Sequence, residues 1–443
     1  MSASVLRKIR GSVIIASNLR GQRRIPFWPR ERLEALRDKR VRRIVRHAAR
    51  NVPYYRDMFS REKIDPREIN TASDLEKLPI LDKRFVRENP RLFLSTNRQS
   101  SEAIRFLTSG TTGAPAEIFH DRHSLLANIP YGERERDPLI RICGSFRPKE
   151  LYIGYENSTF KTVMDFYSEN ALMPIRPQRT LLSIRDPIER IAAATNELQP
   201  DILVGYGGWM NLFFKTVARQ GLELHPLQMA LYMGESLPPG ARNFIESHFK
   251  IPVLSRYNAV EAFKIGFFCE QQSGFHIHED LCHLRIVDPE GRRAPPGIQG
   301  SILISNLVNT ASVLLNYPIG DTASFVDATC SCGRSFRIIT ELEGRIEDIL
   351  TLSNGIFVHP RSVWQVFKGD PEILQYQLIQ HEQDLFELAI ATATKEAFDR
   401  AYKRALPDLQ SLLGSDSVIE AHRKVDLGCT PGAKFRAVEV RVK

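Results

Sequence analysis

The sequence predicts a mixed α/β protein in two units: a large N-terminal domain of α/β sheets carrying a β subdomain, and a small C-terminal α+β domain. Three observations lead there. Short apolar runs alternate with helical patterns through the first half of the chain. From His283 the texture changes to closely spaced apolar runs separated by Gly/Pro turns. A break near Gly344 then precedes about a hundred residues of mixed strand and helix signals. At 443 residues the chain is long for one hydrophobic core, so more than one domain is expected. The expected boundaries are 1–343 and 344–443, with a basic helical segment at 1–60 and the β subdomain at 283–343.

Taken in order, the first element is an amphipathic helix from Glu31 to Arg50. Val41, Ile44, Val45 and Ala48 fall at helical spacing, flanked by Arg40, Arg42, Arg43 and Arg46, and Asn51-Val-Pro53 stops the pattern. Strands are expected at Leu151–Tyr155, Ile202–Tyr206, Met229–Met233 and Pro252–Tyr257. Helices are expected between them at Ile188–Leu198 and Trp209–Arg219. Asp186-Pro187 reads as an N-cap followed by proline at the first helical position. This alternation predicts a mostly parallel sheet. The runs "HLRIVD", "GSILISNL" and "SVLLNY", with turns such as Pro295-Pro-Gly297, predict the antiparallel subdomain.

Composition excludes several classes. A hydrophobic content of 42% and a charged content of 26% describe an ordinary globular protein. The aliphatic run Ser12-Val-Ile-Ile-Ala16 is too short to span a bilayer or to serve as an export signal, so a cytoplasmic protein is expected. The net charge of +9 is uneven: residues 1–60 carry sixteen Lys/Arg against four Asp/Glu, which leaves the remainder at −3. The helical spacing reads this as the solvated basic face of a core-packed helix. No nucleic-acid partner is expected, while weak membrane association of the basic N-terminus and a homodimer stay open.

The stretch "FLTSGTTGAPAEIF", Phe106–Phe119, carries the densest chemistry. Gly, Ser and Thr are ordinary turn residues, so Thr108, Ser109, Gly110, Thr111, Thr112 and Gly113 read either as a surface turn or as an anion cradle, in which glycines let backbone N–H groups close on a phosphate beside hydroxyl donors. It is not the P-loop of nucleotide triphosphatases, because Ala114-Pro115 stand where Lys-Ser/Thr is required.

This loop resembles the signature of the adenylate-forming superfamily, the acyl-CoA synthetases, adenylation domains and luciferases. "MGESL" at 233–237, "RYNAVE" at 256–261, "NYPIGD" at 316–321, "GRIED" at 344–348 and "PGAKFR" at 431–436 are similar to its later motifs, in order. "RHAARNVPYYRDMF", "GFHIHED" and "CSCGR" place the resemblance in the phenylacetate–CoA ligase branch with its capsular-polysaccharide-locus relatives, over nearly the whole chain.

The resemblance implies a reaction in two halves. A carboxylate, aromatic or apolar in its body, attacks the α-phosphate of ATP to give acyl-adenylate and pyrophosphate. An acceptor, usually the CoA thiol but in some relatives an amine, hydroxyl or carrier-protein thiol, then displaces AMP. It further implies that Ser109–Gly113, Thr111 above all, hold the β/γ-phosphates, and that Gly234, Glu235, Ser236 and Asn258 border the nucleotide. Tyr257 would stack on adenine, Glu261 would hold Mg²⁺, and Asp321 would take both ribose hydroxyls. Arg345 would contact the nucleotide, and Lys434 would bridge the attacking carboxylate and α-phosphate. The acyl pocket would draw on Tyr155, Phe160, Tyr206, Met233 and Gly234. The C-terminal domain would be a mobile lid hinged at Glu347, bringing the loop around Ser353-Asn-Gly355 towards the thiol entrance. The chain departs from the pattern at Ala114-Pro115-Ala116, at Asn258 and at Ala433, where lysine, glycine and glycine are usual. A member that keeps the fold without catalysis is the remaining alternative.

Six cysteines in a cytosolic protein argue against disulfides. Cys269 and His276 form one close pair, Cys330 and Cys332 another, at the two ends of the β subdomain. Together they make a Cys₃His set suited to a closed, structural Zn²⁺ site, with His278 or Cys282 able to replace His276.

Overall fold

The computed structural model describes residues 3–97, 102–108, 115–155, 158–172, 178–237, 240–340, 342, 349–367, 370, 372–424, 427 and 436–441. The helix predicted at 31–50 runs Arg30–Asn51 and buries Leu33, Val41, Ile44, Val45 and Ala48. It ends where Val52, held extended ahead of Pro53, cannot continue it. Its basic face is not simply solvated, contrary to expectation. Arg30 donates to both oxygens of Glu279 at 2.5 and 2.6 Å, and Arg40 reaches Asp280 at 2.9 Å. Asp280 also receives a two-pronged pair from Arg134, both side chains fully buried. Buried carboxylates need such partners, which gives part of the basic N-terminus a packing role.

Among the described residues nine strands form the main sheet, in the order Phe325–Val326, Ile338–Ile339, Phe275–Ile277, Phe263–Phe268, Val253–Ala259, Met229–Met233, Ile202–Gly205, Glu150–Gly154 and Arg179–Ser183. The last five are parallel to one another, as the alternation predicts. From Phe263–Phe268 onwards the pairs are antiparallel, because only three residues separate that strand from Val253–Ala259 and no crossover fits in them. Helices Ile188–Leu198, Gly207–Gln220 and Ala241–Phe249 cover one face with a core of Ile191, Phe213, Phe214 and Ile245. The other face packs on the N-terminal helices and the β subdomain. The first of these helices has Pro187 itself at the cap position; Asp186 is used by Arg190 instead, at 2.9 Å.

The subdomain is a three-stranded antiparallel sheet, Cys282–Val287, Gly300–Asn306 and Tyr317–Ala323. "SVLLNY" is not its third strand. Val313, Leu314 and Leu315 fill the core, Ser312 makes a single bridge to Leu94, and Asn316 at φ 53° turns the chain into the true strand. The C-terminal part has its own core, including Leu350, Trp364, Leu378, Phe386 and Leu409. Its sheet runs Val418–Lys424, Leu385–Ala391, Gln375–Glu382 and Val438–Val440, with helices Pro360–Phe367 and Lys395–Leu413.

Candidate active site

The C-terminal ends of the parallel strands and the mouth of the Ile104–Leu107/Glu117–His120 hairpin open on one cavity of about 510 Å³. Thr108 and Ala116 close the base of the hairpin: Thr108 N donates to Ala116 O at 3.0 Å, and Ala116 N to Thr108 Oγ1 at 2.9 Å. Both line the cavity. Ser109, Gly110, Thr111, Thr112 and Gly113 lie outside the described residues, as do Arg345, Glu347 and Lys434.

Tyr257 ends the regular part of its strand at a bulge before Asn258, and its hydroxyl donates to Asp321 Oδ2 at 2.8 Å. Burial and the adjacent Asp321 push the phenol well above its usual pKa, so it remains the donor. Asn258 is not among the described residues with positive φ, so glycine's freedom is not needed there. Glu261 follows in the Val260–Ala262 connection and is 6% exposed. Burial raises its pKa, Asp321 adds to the rise, and Lys83 opposes it. A buried carboxylate held above its ordinary pKa suits a bound cation, which would replace the lost solvation with oxygen ligation.

Gly234, at φ 77°, begins the loop after the Met229–Met233 strand. That loop lies against the next helix so closely that a Cβ on Gly207 would meet the Ser236 carbonyl oxygen at 2.4 Å. Ser236 donates to Leu342 O at 3.2 Å. Glu235 bonds a residue of the C-terminal part: His359 Nε2 stands 3.0 Å from its Oε2. His359 Nδ1 is 3.2 Å from the Tyr155 hydroxyl, itself 3.1 Å from Ser362 Oγ. With the proton on Nε2, this chain runs from Ser362 through Tyr155 and His359 to Glu235. Trp364, Gln365, Tyr376 and Ala437 also line the cavity, so the C-terminal part forms one of its walls. Gly355, at φ 77°, makes the turn of Ser353-Asn-Gly355 between two short strands.

All five residues expected in the acyl pocket, Tyr155, Phe160, Tyr206, Met233 and Gly234, line this cavity. Phe160 stacks on Tyr152, ring centroids 4.4 Å apart. Sequence reasoning missed two groups here. Lys83 and Arg87, one turn apart on the helix Lys83–Glu88, line the cavity, and Lys83 Nζ donates to Ile319 O at 2.9 Å. Asp82, an N-cap accepting from Arg84 N and Phe85 N, sets that helix; "DKRFVRE" carried the signal of a capped turn with cations four apart. The second group is a charged wall of Glu135, Glu150, Arg179, Arg256 and Lys264.

Away from the cavity, donor atoms of Cys269, His276, Cys330 and Cys332 lie within 4.8 Å of one another. Cys269 Sγ is 3.6 Å from Cys330 Sγ, and Cys332 Sγ is 3.5 Å from His276 Nε2. Four ligands about 2.0–2.3 Å from a tetrahedral zinc stand ~3.3–3.8 Å apart, which these distances match. Gln271 N and Arg334 N donate to Cys269 and Cys332 sulfurs, as amides do around thiolates. The alternatives drop out: His278 bonds Glu135 at 3.2 Å, and Cys282 lies against backbone carbonyls.

No protein-family profile matches the chain. It is similar to the phenylacetate-coenzyme A ligase of Thermus thermophilus, 24% identical over 407 residues, covering 90% of this chain and 88% of that one. The Escherichia coli phenylacetate-coenzyme A ligase is 24% identical over 384 residues, 83% and 84% of the two chains. Among solved structures, 2-hydroxyisobutyryl-CoA ligase with 2-HIB-AMP and CoA matches with a TM-score of 0.64 at 18% identity, over 94% of this chain and 92% of that one. Its postadenylation state matches at 0.61. The chain thus has the fold of an adenylate-forming ligase, and its sequence resembles the phenylacetate-coenzyme A ligases along most of its length.

Proposed function

We propose that this chain is an AMP-forming acid–CoA ligase: it activates a carboxylic acid with ATP, releases pyrophosphate, and passes the acyl group to the CoA thiol. The observation that carries this reading is the convergence of Thr108, Gly234, Tyr257, Glu261 and Asp321, scattered along the sequence, on one cavity. Asp321, oriented by Tyr257, keeps an oxygen for the ribose hydroxyls. Tyr257 and the Gly234–Ser236 loop would border the adenine. Glu261 would hold Mg²⁺, which when bound offsets phosphate charge. Lys83 and Arg87 line the same cavity and would supply positive charge that the loop, lacking the usual lysine, does not.

Lys434 is assigned to the attacking carboxylate and α-phosphate, Arg345 to the nucleotide and Glu347 to the hinge. Ala437, three residues beyond Lys434, lines the same cavity, which supports a role for the C-terminal segment in the first half-reaction. A boundary near Gly344 accords with the separate core of the C-terminal part. Cys269, His276, Cys330 and Cys332 would hold one structural zinc, with no ligand position left for water.

The acceptor is tested by product mass. With an acid that the enzyme activates, a thioester should form in the presence of CoA and AMP should appear with it. An acyl-adenylate that CoA leaves untouched, but an amine, hydroxyl or carrier protein consumes, would overturn the CoA assignment.

A further inference from the structure

Beneath the aromatic lining, the acyl end of the cavity is walled by charge. Arg179, at the start of its edge strand, donates to Glu150 Oε2 at 2.6 Å from the neighbouring strand. Lys264 Nζ lies 2.8 Å from Glu135 Oε2, and Arg256 Nε approaches the same oxygen only to 3.5 Å. The side chains of Glu135, Arg256 and Lys264 are 1%, 11% and 15% exposed. His278 stands on the far side of Glu135, its Nε2 3.2 Å from Oε1. Three cations, Arg179, Arg256 and Lys264, therefore share two carboxylates, Glu150 and Glu135, in this largely buried part of the wall, one positive charge more than negative among these five residues.

Burial lowers the Lys264 pKa; Glu135 opposes that, and the neighbouring Arg256 and Arg179 lower it further. The cations thus repel one another across the wall. Arg256 carries five N–H donors. Its contacts are the long approach to Glu135 and the adjacent Tyr152 hydroxyl. A protein gains nothing by burying such an excess unless something brings the opposite charge.

We propose that the acid carries a second anionic group, a carboxylate or its equivalent, on the end of its aromatic or apolar body remote from the carboxylate being activated. Arg256, with Lys264 beside it, takes that group. Phe160 and Tyr152 flank the body between the two ends. The inference rests on the ligase reading and narrows its substrate class.

Matched acids test it: hexanoate against hexanedioate, and phenylacetate against 4-carboxyphenylacetate, in ATP–pyrophosphate exchange. The diacid of a pair should give a kcat/KM about 100-fold or more above its partner, the scale of a charge pair kept from water. Arg256→Met should reduce that ratio by a similar factor, while Arg256→Lys retains most of it. A wild-type enzyme that uses the monoacids equally or better overturns the proposal and leaves the ligase reading intact. An unchanged ratio in Arg256→Met does the same. Should that variant not fold, the wild-type ratio alone decides. If no acid supports exchange, the ligase reading fails, and calorimetric titration of hexanedioate and 4-carboxyphenylacetate still decides. Binding lost in Arg256→Met supports the charged recess, and no binding to wild type overturns it.

Discussion

Asp321 and Glu261 are both carboxylates on the cavity wall, yet their surroundings give them different work. Asp321 is half-buried and already accepts one hydrogen bond, from Tyr257, which fixes its orientation. Glu261 is buried, and that burial disfavours its ionised form, with Asp321 adding to the effect. Asp321→Ala should therefore act on nucleotide binding. Losing hydrogen bonds to a charged group, at roughly 1.5–3 kcal/mol each, should raise the apparent KM for ATP by about tenfold or more. Tyr257→Phe keeps the carboxylate and should cost less. An ATP KM unchanged in Asp321→Ala contradicts the assignment, as read by initial rates at saturating acid. At this scale, legibility depended on pattern. Tyr257, Glu261 and Asp321 stand in short motifs of recognisable order, whereas Arg256 opens one of those motifs without a role read for it and Lys264 is a lone cation on a strand. Their burial beside Glu135 comes from a helix more than a hundred residues away, and no local spacing announces it.

Among the elements, the antiparallel end of the main sheet depends on how its strands are tied. Cys269 directly follows the Phe263–Phe268 strand, His276 lies in the Phe275–Ile277 strand, and Cys330 and Cys332 precede Ile338–Ile339. A zinc bound by all four would join three segments beside the strand that carries Tyr257 without touching substrate. Elemental analysis of protein purified without added metal should find close to one zinc per chain. Cys330→Ser with Cys332→Ser should remove it and lower the melting temperature by roughly 5 °C or more. Metal-free wild-type protein, or variants that melt unchanged, would contradict the site. The Cys330/Cys332 spacing was readable because ligands on one turn must be close in sequence, and the Cys269/His276 spacing because a short connection joins their two antiparallel strands. "SVLLNY" misled for the opposite reason, since a buried apolar run looks alike in a strand and in an irregular core segment. Where a hairpin replaces a crossover, alternation likewise stops predicting parallel pairing, as between Val253–Ala259 and Phe263–Phe268.

For the molecule as a whole, texture leads to an expected division near Gly344, which lies outside the described residues, and beyond it Leu350, Leu378, Phe386 and Leu409 share a core. What texture could not give is the contact across that division. Ser362, Tyr155, His359 and Glu235 form one hydrogen-bonded chain across it, from residues more than a hundred positions apart. Lys434 belongs to this scale, because its assigned role depends on which face the C-terminal part turns to the cavity. The central claim is that the cavity joins a carboxylate to ATP, and acid-dependent exchange of labelled pyrophosphate into ATP measures that step alone. Wild-type protein with Mg²⁺ should show exchange only when a carboxylic acid is added. Lys434→Ala should cut that exchange by orders of magnitude while transfer from supplied acyl-adenylate to CoA persists. Exchange absent with every acid, or equal with and without acid, would contradict the account.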